Sequence, residues 1–553
     1  MAAKIYSPAN YLKHWAQKKP DACFLRQPSG RKWQQTSWRE AYDKVAKLAA
    51  YLKKYPENSK IGIYANNCRD WFLVDMAILA AGMISVPIYP SASAKTISQI
   101  LDHSETQLVF VGNLADFSHL SVIQENAEVV GIHHKQQEFP FWLEVIEALE
   151  PVSDFFQPNE KDIATIVYTS GTTGMPKGVV MSYRAISGGL ECIENTIEIN
   201  GEDTFLSYLP LAHILERIAV EIMSVVYGCQ VSFVENLSTF SSNLVNTNPS
   251  IFIAVPRIWV KIKQGIEKKF GGAKRFQKII GLPIIGGFIA RRIIKKLGLS
   301  NAKYCLTGAA AISTDTLDWY DQLGLVVCEG YGLSETLGIS NLNIPEHRKV
   351  GTVGRVMNGC EMLVAENGEI LLRSPCLMDG YYKEPELTAA AIQDGWFRTG
   401  DLGQVDESGY LSIKGRVKEI FKTSKGKYIS PVPIEQSLEN LFSVEQTCVF
   451  GSQLSQPIAV IVCTDYKIKK DDESFIVECE QKLKQLNDSL EKHEQLDALL
   501  VSSTEWSTKN EMMTPTLKIR RQQIEDYYQP MFLENKEAIN SNSTEKNTVI
   551  FVD

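Results

Sequence analysis

Apolar residues recur at helical spacing over 38–53 and again over 70–82. Short, almost wholly apolar runs alternate with them at 60–65, 84–89 and 107–111. A period near 3.6 buries one face of a helix, whereas a brief continuous apolar run fits a strand covered on both faces. The alternation predicts a parallel sheet with crossover helices, an α/β arrangement. The same rhythm returns in the runs 163–167, 230–234, 251–255, 304–307 and 325–328. From Gly359 the texture turns strand-rich, as at 368–373 and 410–414, and from Pro433 it is mixed, with a charged helix predicted over 475–494. The polar stretch after Glu534 is expected to be loosely ordered, with 549–552 able to dock or pair at a sheet edge.

A chain of 553 residues exceeds one ordinary core, so two or more domains are expected. Hydrophobic content of 44% and charged content of 22% are those of a soluble globular protein. The net charge of −8 argues against nucleic acid as a general partner. Eleven cysteines without a CxxC pair suggest reduced thiols in a cytosolic compartment, not a disulfide framework or a zinc site. No apolar h-region opens the chain, so no signal peptide is expected. No apolar run is long enough to span a bilayer; the longest candidate, 71–81, contains Asp75 and fits a buried helix better.

After the run 163–167 stands Tyr168-Thr-Ser-Gly-Thr-Thr-Gly-Met-Pro-Lys-Gly178. Gly171 and Gly174 let backbone N–H groups approach an anion, Thr169, Ser170, Thr172 and Thr173 add donors, and Lys177 adds a full charge. That chemistry suits a polyphosphate, although the spacing is not GxxxxGK[ST] and Gly178 follows the lysine. Residues 329–336, read as following a strand, offer an aromatic face at Tyr331 on which a purine can stack and a small residue at Gly332. Ser334 can meet a phosphate oxygen, and Glu335 can hold Mg²⁺ as a hard oxygen ligand. Asp401, read as following a glycine turn, can accept both hydroxyls of a ribose; an isolated Thr-Gly-Asp is more often a plain turn. Lys518, alone among arginines, would ordinarily be a solvated lysine.

Taken together these strings resemble the AMP-forming adenylating enzymes: acyl-CoA synthetases, luciferases and peptide-synthetase adenylation domains. The resemblance runs from about Ser7 to about Tyr528. It implies that 168–178 is the pyrophosphate-gripping loop, with Thr169 and Glu335 toward the metal. It implies that Gly308 and Ala309, in Thr307-Gly-Ala-Ala-Ala311, belong to a second adenine-contacting turn. Asp401 and Arg416 are then ribose contacts, Lys418 the hinge, and 422–430 a loop that swings in for thioester formation. Lys518, preceded by Thr514-Pro-Thr516, matches the C-terminal catalytic lysine, whose ammonium can bridge substrate carboxylate and α-phosphate. Ser334 stands where the family usually has threonine, which keeps the hydroxyl.

The implied fold is a large N-terminal domain of stacked α/β sheets with a small β-barrel subdomain, 1–417, then a small mobile α+β domain, 418–530, and a polar tail, 531–553. The implied reaction uses ATP, Mg²⁺ and coenzyme A: a carboxylate attacks the α-phosphorus, pyrophosphate leaves, and a thiol then attacks the acyl-adenylate. Residues 209–217, with His213 near the substrate carboxylate, and 254–259 resemble strings of the long-chain fatty acyl-CoA synthetase branch. An aromatic is common in that branch where Leu215 stands. Without its flanks, His213 would equally be a helix-start histidine packed on the sheet.

Between Arg257 and Lys303 lie 13 Lys or Arg and one acid, Glu267, around the apolar run 279–290. Such a run can lie at a membrane interface between basic flanks; the alternative is a basic helical hairpin with the run buried. The protein is therefore expected to be a cytoplasmic long-chain fatty acid:CoA ligase with peripheral membrane contact through 257–303. An acyl carrier protein in place of CoA is the alternative thiol donor, and a non-catalytic acyl- or nucleotide-binding protein the alternative class.

Overall fold

The computed structural model describes residues 4–30, 32–114, 116–135, 138–169, 175–442, 444, 446–463, 473–507, 509–514, 518–540 and 548–552. Two large sheets dominate. The first has seven strands in the order Gly380–Tyr381, Lys177–Ser182, Ile163–Thr169, Ile84–Ile88, Lys60–Ala65, Thr106–Gly112 and Glu128–Ile132. Its interior pairs are parallel, and the two pairs at the Gly380–Tyr381 end are antiparallel. The second sheet has nine strands, with Ile251–Ala254 parallel to Thr204–Ser207 on one side and to Tyr304–Thr307 on the other.

The helix Trp38–Leu52 begins where the pattern predicts it. Ser37 accepts from the Glu40 N–H and Glu40 reaches back to the Ser37 N–H, a capping box that satisfies two otherwise orphaned donors. The helix Arg69–Ala80 is buried along almost its whole surface, as its apolar sequence requires. Asp75 within it is fully buried and is neutralised by Arg217, whose Nη2 donates to both carboxylate oxygens at 2.7 and 2.6 Å. Arg217 also donates to Thr165, so the pair ties this helix to the Ile163–Thr169 strand that leads into the phosphate-type loop.

The strand-rich region beyond Gly359 is an antiparallel sheet of five strands: Glu361–Val364, Glu369–Arg373, Trp396–Val405, Ile392–Gln393 and Leu411–Arg416. Expected as a small barrel, it pairs as an open path among the described residues. Beyond it, Thr447–Phe450, Ile458–Val462, Ala498–Ser502 and Thr548–Val552 form a four-stranded sheet packed with the helices Pro431–Phe442, Glu473–Ser489 and Arg521–Asn540.

The stretch expected as a polar tail joins this C-terminal unit. The helix runs through Glu534 to Asn540, and Thr548–Val552 pairs in parallel with Ala498–Ser502, burying Ile550 and Val552. The short apolar run there is enough to complete the sheet edge, despite the polar residues before it. Among the described residues no helix is long and apolar enough to cross a membrane.

Candidate active site

A cavity of about 2140 Å³ lies between the second large sheet, the five-stranded sheet and the C-terminal unit. Thr169, Lys177, His213, Gly308, Ala309 and Tyr331 line it, as do Gly332, Ser334, Glu335, Asp401, Arg416, Lys418 and Lys518. Every candidate residue that the structure describes therefore faces one space. Ser170, Gly171, Thr172, Thr173 and Gly174 lie outside the described residues.

Thr169 ends one strand and pairs antiparallel with Lys177 at the start of the next, which brings the two ends of the glycine- and threonine-rich string together. Lys177 Nζ sits 5.3 Å from the centre of the Tyr381 ring. The Tyr381 hydroxyl donates to Glu335 Oε1 at 2.8 Å. A cation, an aromatic ring and a carboxylate are thus joined in one chain along the wall. Tyr381 has no motif to mark it; its role is visible only once the Gly380–Tyr381 strand is seen beside Lys177–Ser182.

The Glu329-to-Thr336 string differs from expectation in where it turns. Glu329, Gly330 and Tyr331 complete the strand Val327–Tyr331, and the turn begins at Gly332. A Cβ at Gly332 would meet the Gly338 carbonyl carbon at 2.1 Å, so only glycine permits this close approach. The short 3₁₀ turn Ser334–Thr336 then carries Glu335.

Asp401 likewise stands inside a strand, Trp396–Val405, directly across from Arg416, and not after a turn. Arg416 Nε lies 2.9 Å from Asp401 Oδ1, and the Tyr331 hydroxyl donates to Oδ2 at 2.7 Å. Both carboxylate oxygens are already oriented. Burial raises the Asp401 pKa and outweighs the opposing charge of Arg416.

Lys518 lies in a short antiparallel link, with a bridge between Met513 and Ile519 and the Thr514 N–H donating to the Lys518 carbonyl at 2.8 Å. Its ammonium feels the charges of Arg416, Asp401, Glu335 and Glu419. Desolvation within the cleft lowers its pKa and Arg416 lowers it further, although the residue keeps an exposed surface toward solvent. The C-terminal unit is therefore docked with this lysine in the cavity.

His213 caps the short helix Ile214–Glu216: its Nδ1 accepts from the Leu215 N–H at 3.2 Å. Burial, aided by the charge of Lys518, lowers its pKa to about 4. The ring is neutral near pH 7, and with Nδ1 accepting, the proton resides on Nε2. The lining of the same cavity also includes the apolar side chains of Ile193, Ile197, Leu215, Ala219, Met223 and Ile253. Arg217–Ile222 is a π-helical segment, and Leu215, Ala219 and Met223, within it or just outside it, all line the cavity.

Residues 12–382 match the family described as AMP-binding enzyme, and residues 418–532 match the AMP-binding enzyme C-terminal domain. The chain belongs to the AMP-binding enzyme family. It is 29% identical to long chain acyl-CoA synthetase 1 of Arabidopsis thaliana, over 89% of this chain and 86% of that protein. It is 26% identical to the long-chain-fatty-acid–CoA ligase FadD15 of Mycobacterium tuberculosis, over 90% of this chain and 91% of that one. The fold is shared with the AMP-bound A domain of carboxylic acid reductase from Segniliparus rugosus, at a TM-score of 0.80 and 19% identity, covering 96% of this chain and 94% of that one. It is also shared with the AMP complex of O-succinylbenzoate coenzyme A synthetase from Bacillus subtilis, at 0.75 and 20%, covering 94% and 98%.

Proposed function

We propose that this protein is an AMP-forming long-chain fatty acid:CoA ligase, using ATP, Mg²⁺ and coenzyme A. One observation carries the proposal: Lys518, Asp401, Arg416, Glu335 and His213 line a single cavity whose wall also includes the apolar Ile193, Ile197, Ala219, Met223 and Ile253. A carboxylate and a triphosphate repel each other, so a site that joins them needs cations and hard oxygen ligands beside a place for a greasy chain.

In this reading Asp401 and Arg416 hold the ribose and Tyr331 flanks the adenine with Gly308 and Ala309. Thr169 and Lys177 grip the leaving phosphates. Glu335, its carboxylate aimed by the Tyr381 hydroxyl, fits a hard divalent cation, with Thr169 as a further oxygen ligand. Mg²⁺, when bound, supplies charge neutralisation at the departing pyrophosphate. His213 Nε2 donates to one oxygen of the fatty acid carboxylate, which orients the other for attack on the α-phosphorus. Lys518 holds the two anions together at the reaction centre. Residues 1–417 form the nucleotide- and acyl-binding domain, and the unit after Lys418 turns about that residue to withdraw Lys518 and admit the thiol. A hinge has only to absorb backbone rotation, which suits an exposed residue in a short 3₁₀ turn.

Peripheral membrane contact belongs to the same reading. The helices Ala273–Ile280 and Ile285–Leu297 form a hairpin whose apolar tip faces solvent: Ile284 is 91% and Phe288 60% exposed. Basic residues flank the tip, so it suits an anionic leaflet on the cytoplasmic side. Flotation with anionic vesicles should capture the protein and lose it in Ile284→Glu/Phe288→Glu; equal flotation of both would contradict the assignment. The function itself is tested by incubating purified protein with palmitate, ATP and Mg²⁺, adding CoA in one arm and holo-acyl carrier protein in the other. Palmitoyl-CoA is the expected product. Product only with the carrier protein would overturn CoA as the thiol, and no pyrophosphate release in either arm would overturn the enzyme.

A further inference from the structure

Three thiols meet behind the site, on residues the mechanism leaves unused. Cys192, in the last turn of the helix Tyr183–Glu194, has its Sγ 3.8 Å from that of Cys360, which immediately precedes the strand Glu361–Val364. Ser374 Oγ lies 3.2 Å from Cys360 Sγ and 2.8 Å from Cys376 Sγ. Of the eleven cysteines, only Cys23, Cys360 and Cys463 are partly exposed; the other eight are buried. Burial raises the Cys23 pKa. Hydrogen bonds from Cys192 and Cys376 act on Cys360 in the opposite sense and favour its thiolate. Among the described residues no group of three or more His, Cys, Asp or Glu is arranged to hold a metal ion.

We propose that Cys360 and Cys192 form a hydroperoxide-reactive dithiol site, with Cys360 as the attacking thiolate and Cys192 as the resolving thiol. The Cys360 sulfur attacks the terminal oxygen of a hydroperoxide; the O–O bond breaks, an S–O bond forms, and the departing alkoxide takes a proton to leave as an alcohol. The Cys192 sulfur then attacks the Cys360 sulfenic sulfur, and the hydroxyl leaves as water with the Cys192 proton. In sum two thiols lose two electrons and two protons, and one hydroperoxide becomes an alcohol and a water. A partly exposed Cys360 sulfur with a second sulfur at 3.8 Å needs only local movement to reach the roughly 2.05 Å of a disulfide.

The bridge has a route to the catalytic wall. Ser374 contacts both Cys360 and Cys376, and Cys376 Sγ donates to the Thr336 carbonyl at 3.4 Å. The Met378 N–H donates to the Glu335 carbonyl at 2.8 Å. Drawing Cys360 toward Cys192 therefore shifts the 374–378 segment against the turn that carries Glu335. This coupling rests on the adenylating role proposed for Glu335; the disulfide does not.

The test uses the full-length, pre-reduced protein and stepwise hydrogen peroxide, with peptide mass spectrometry after thiol blocking. A Cys192–Cys360 disulfide should appear before Cys23 or Cys463 is modified, and dithiothreitol should reverse it. Cys192→Ser should leave Cys360 as a dimedone-reactive sulfenic acid, and Cys360→Ser should leave Cys192 reduced. Oxidation of Cys23 or Cys463 ahead of Cys360, or a Cys360–Cys376 bridge, would overturn the assignment. ATP–pyrophosphate exchange should fall at least several-fold in step with the bridge and stay constant in peroxide-treated Cys360→Ser. A bridge formed without that loss would overturn the coupling to Glu335 while leaving the dithiol site standing.

Discussion

Arg257 Nη2 and Glu505 Oε1 lie 2.6 Å apart across 248 residues of sequence, joining the helix Pro256–Lys269 of the large domain to the C-terminal unit. The pair belongs to the arrangement in which Lys518 is in the cavity. Glu419, beside Lys418, contacts Arg521 of the same unit at 3.4 Å, and Arg521 pairs with Glu435. The Arg257–Glu505 ion pair thus joins the two parts of the chain, and another set holds the segment next to Lys418.

Breaking the outer pair should bias the two half-reactions in opposite directions. A partly exposed pair contributes up to about 1 kcal/mol, which is at most roughly fivefold in population. Arg257→Ala or Glu505→Ala should slow adenylation by about that factor and leave thioester formation from supplied acyl-adenylate unchanged or faster. Rapid-quench measurement of each half checks this, and the swapped pair Arg257→Glu/Glu505→Arg should recover part of the loss.

The buried pair Asp75–Arg217 should matter for stability instead. Asp75→Asn leaves a guanidinium in the core, with Glu221 3.6 Å from Arg217 Nε as the remaining carboxylate. Burial raises the Glu221 pKa well above the usual carboxylate range, so it is a poor substitute. Removing one partner of a buried pair costs about 3–5 kcal/mol. Denaturant unfolding followed by tryptophan fluorescence should show an early loss of the large domain. Asp75→Leu/Arg217→Met should be less damaging than Asp75→Asn alone.

These two relationships show what was and was not legible in the sequence. Apolar periodicity located the helix Trp38–Leu52 and the strand Lys60–Ala65 within a residue, because burial imposes those periods directly. The family resemblance marks Asp401, Arg416 and Lys518 as candidates. The local string misplaces Asp401 onto a turn, since the cross-strand partner Arg416 is what keeps that carboxylate in the strand. Tyr381, Glu505 and Cys360 carry no local pattern. Each acquires its partner only when strands or domains distant in sequence come together.

The His213 titration provides a pH prediction. Its folded pKa is lowered to about 4, so the neutral ring is favoured on folding. Stability from this group is fully present above its unfolded value near 6.5 and is lost as pH falls through about 4. Adenylation should therefore show no limb from His213 between pH 6 and 8. In NMR titration of the imidazole, Lys518→Ala should move the His213 midpoint upward by removing the second cause of its shift. An unchanged midpoint would place Lys518 away from His213 in solution.

The apolar part of the lining predicts chain-length control. Met223→Trp should reduce the space beside it and exclude part of a long chain. Each methylene kept in water costs about 0.8 kcal/mol, or roughly fourfold in kcat/KM. A scan of saturated acids should show palmitate falling by about two orders of magnitude or more while octanoate changes little. A uniform fall across all lengths would mean that this lining does not hold the chain.

Lys518 offers the most direct test, because the proposed adenylation step depends on it. In Lys518→Ala, palmitate-dependent ATP–pyrophosphate exchange should fall by about 10²–10³-fold, the loss expected on removing a charge that acts mainly in the transition state. Thioester formation from supplied palmitoyl-adenylate and CoA should stay within about twofold of wild type. Equal loss of both half-reactions, or exchange at the wild-type rate, would contradict the assignment of Lys518 to the adenylation step.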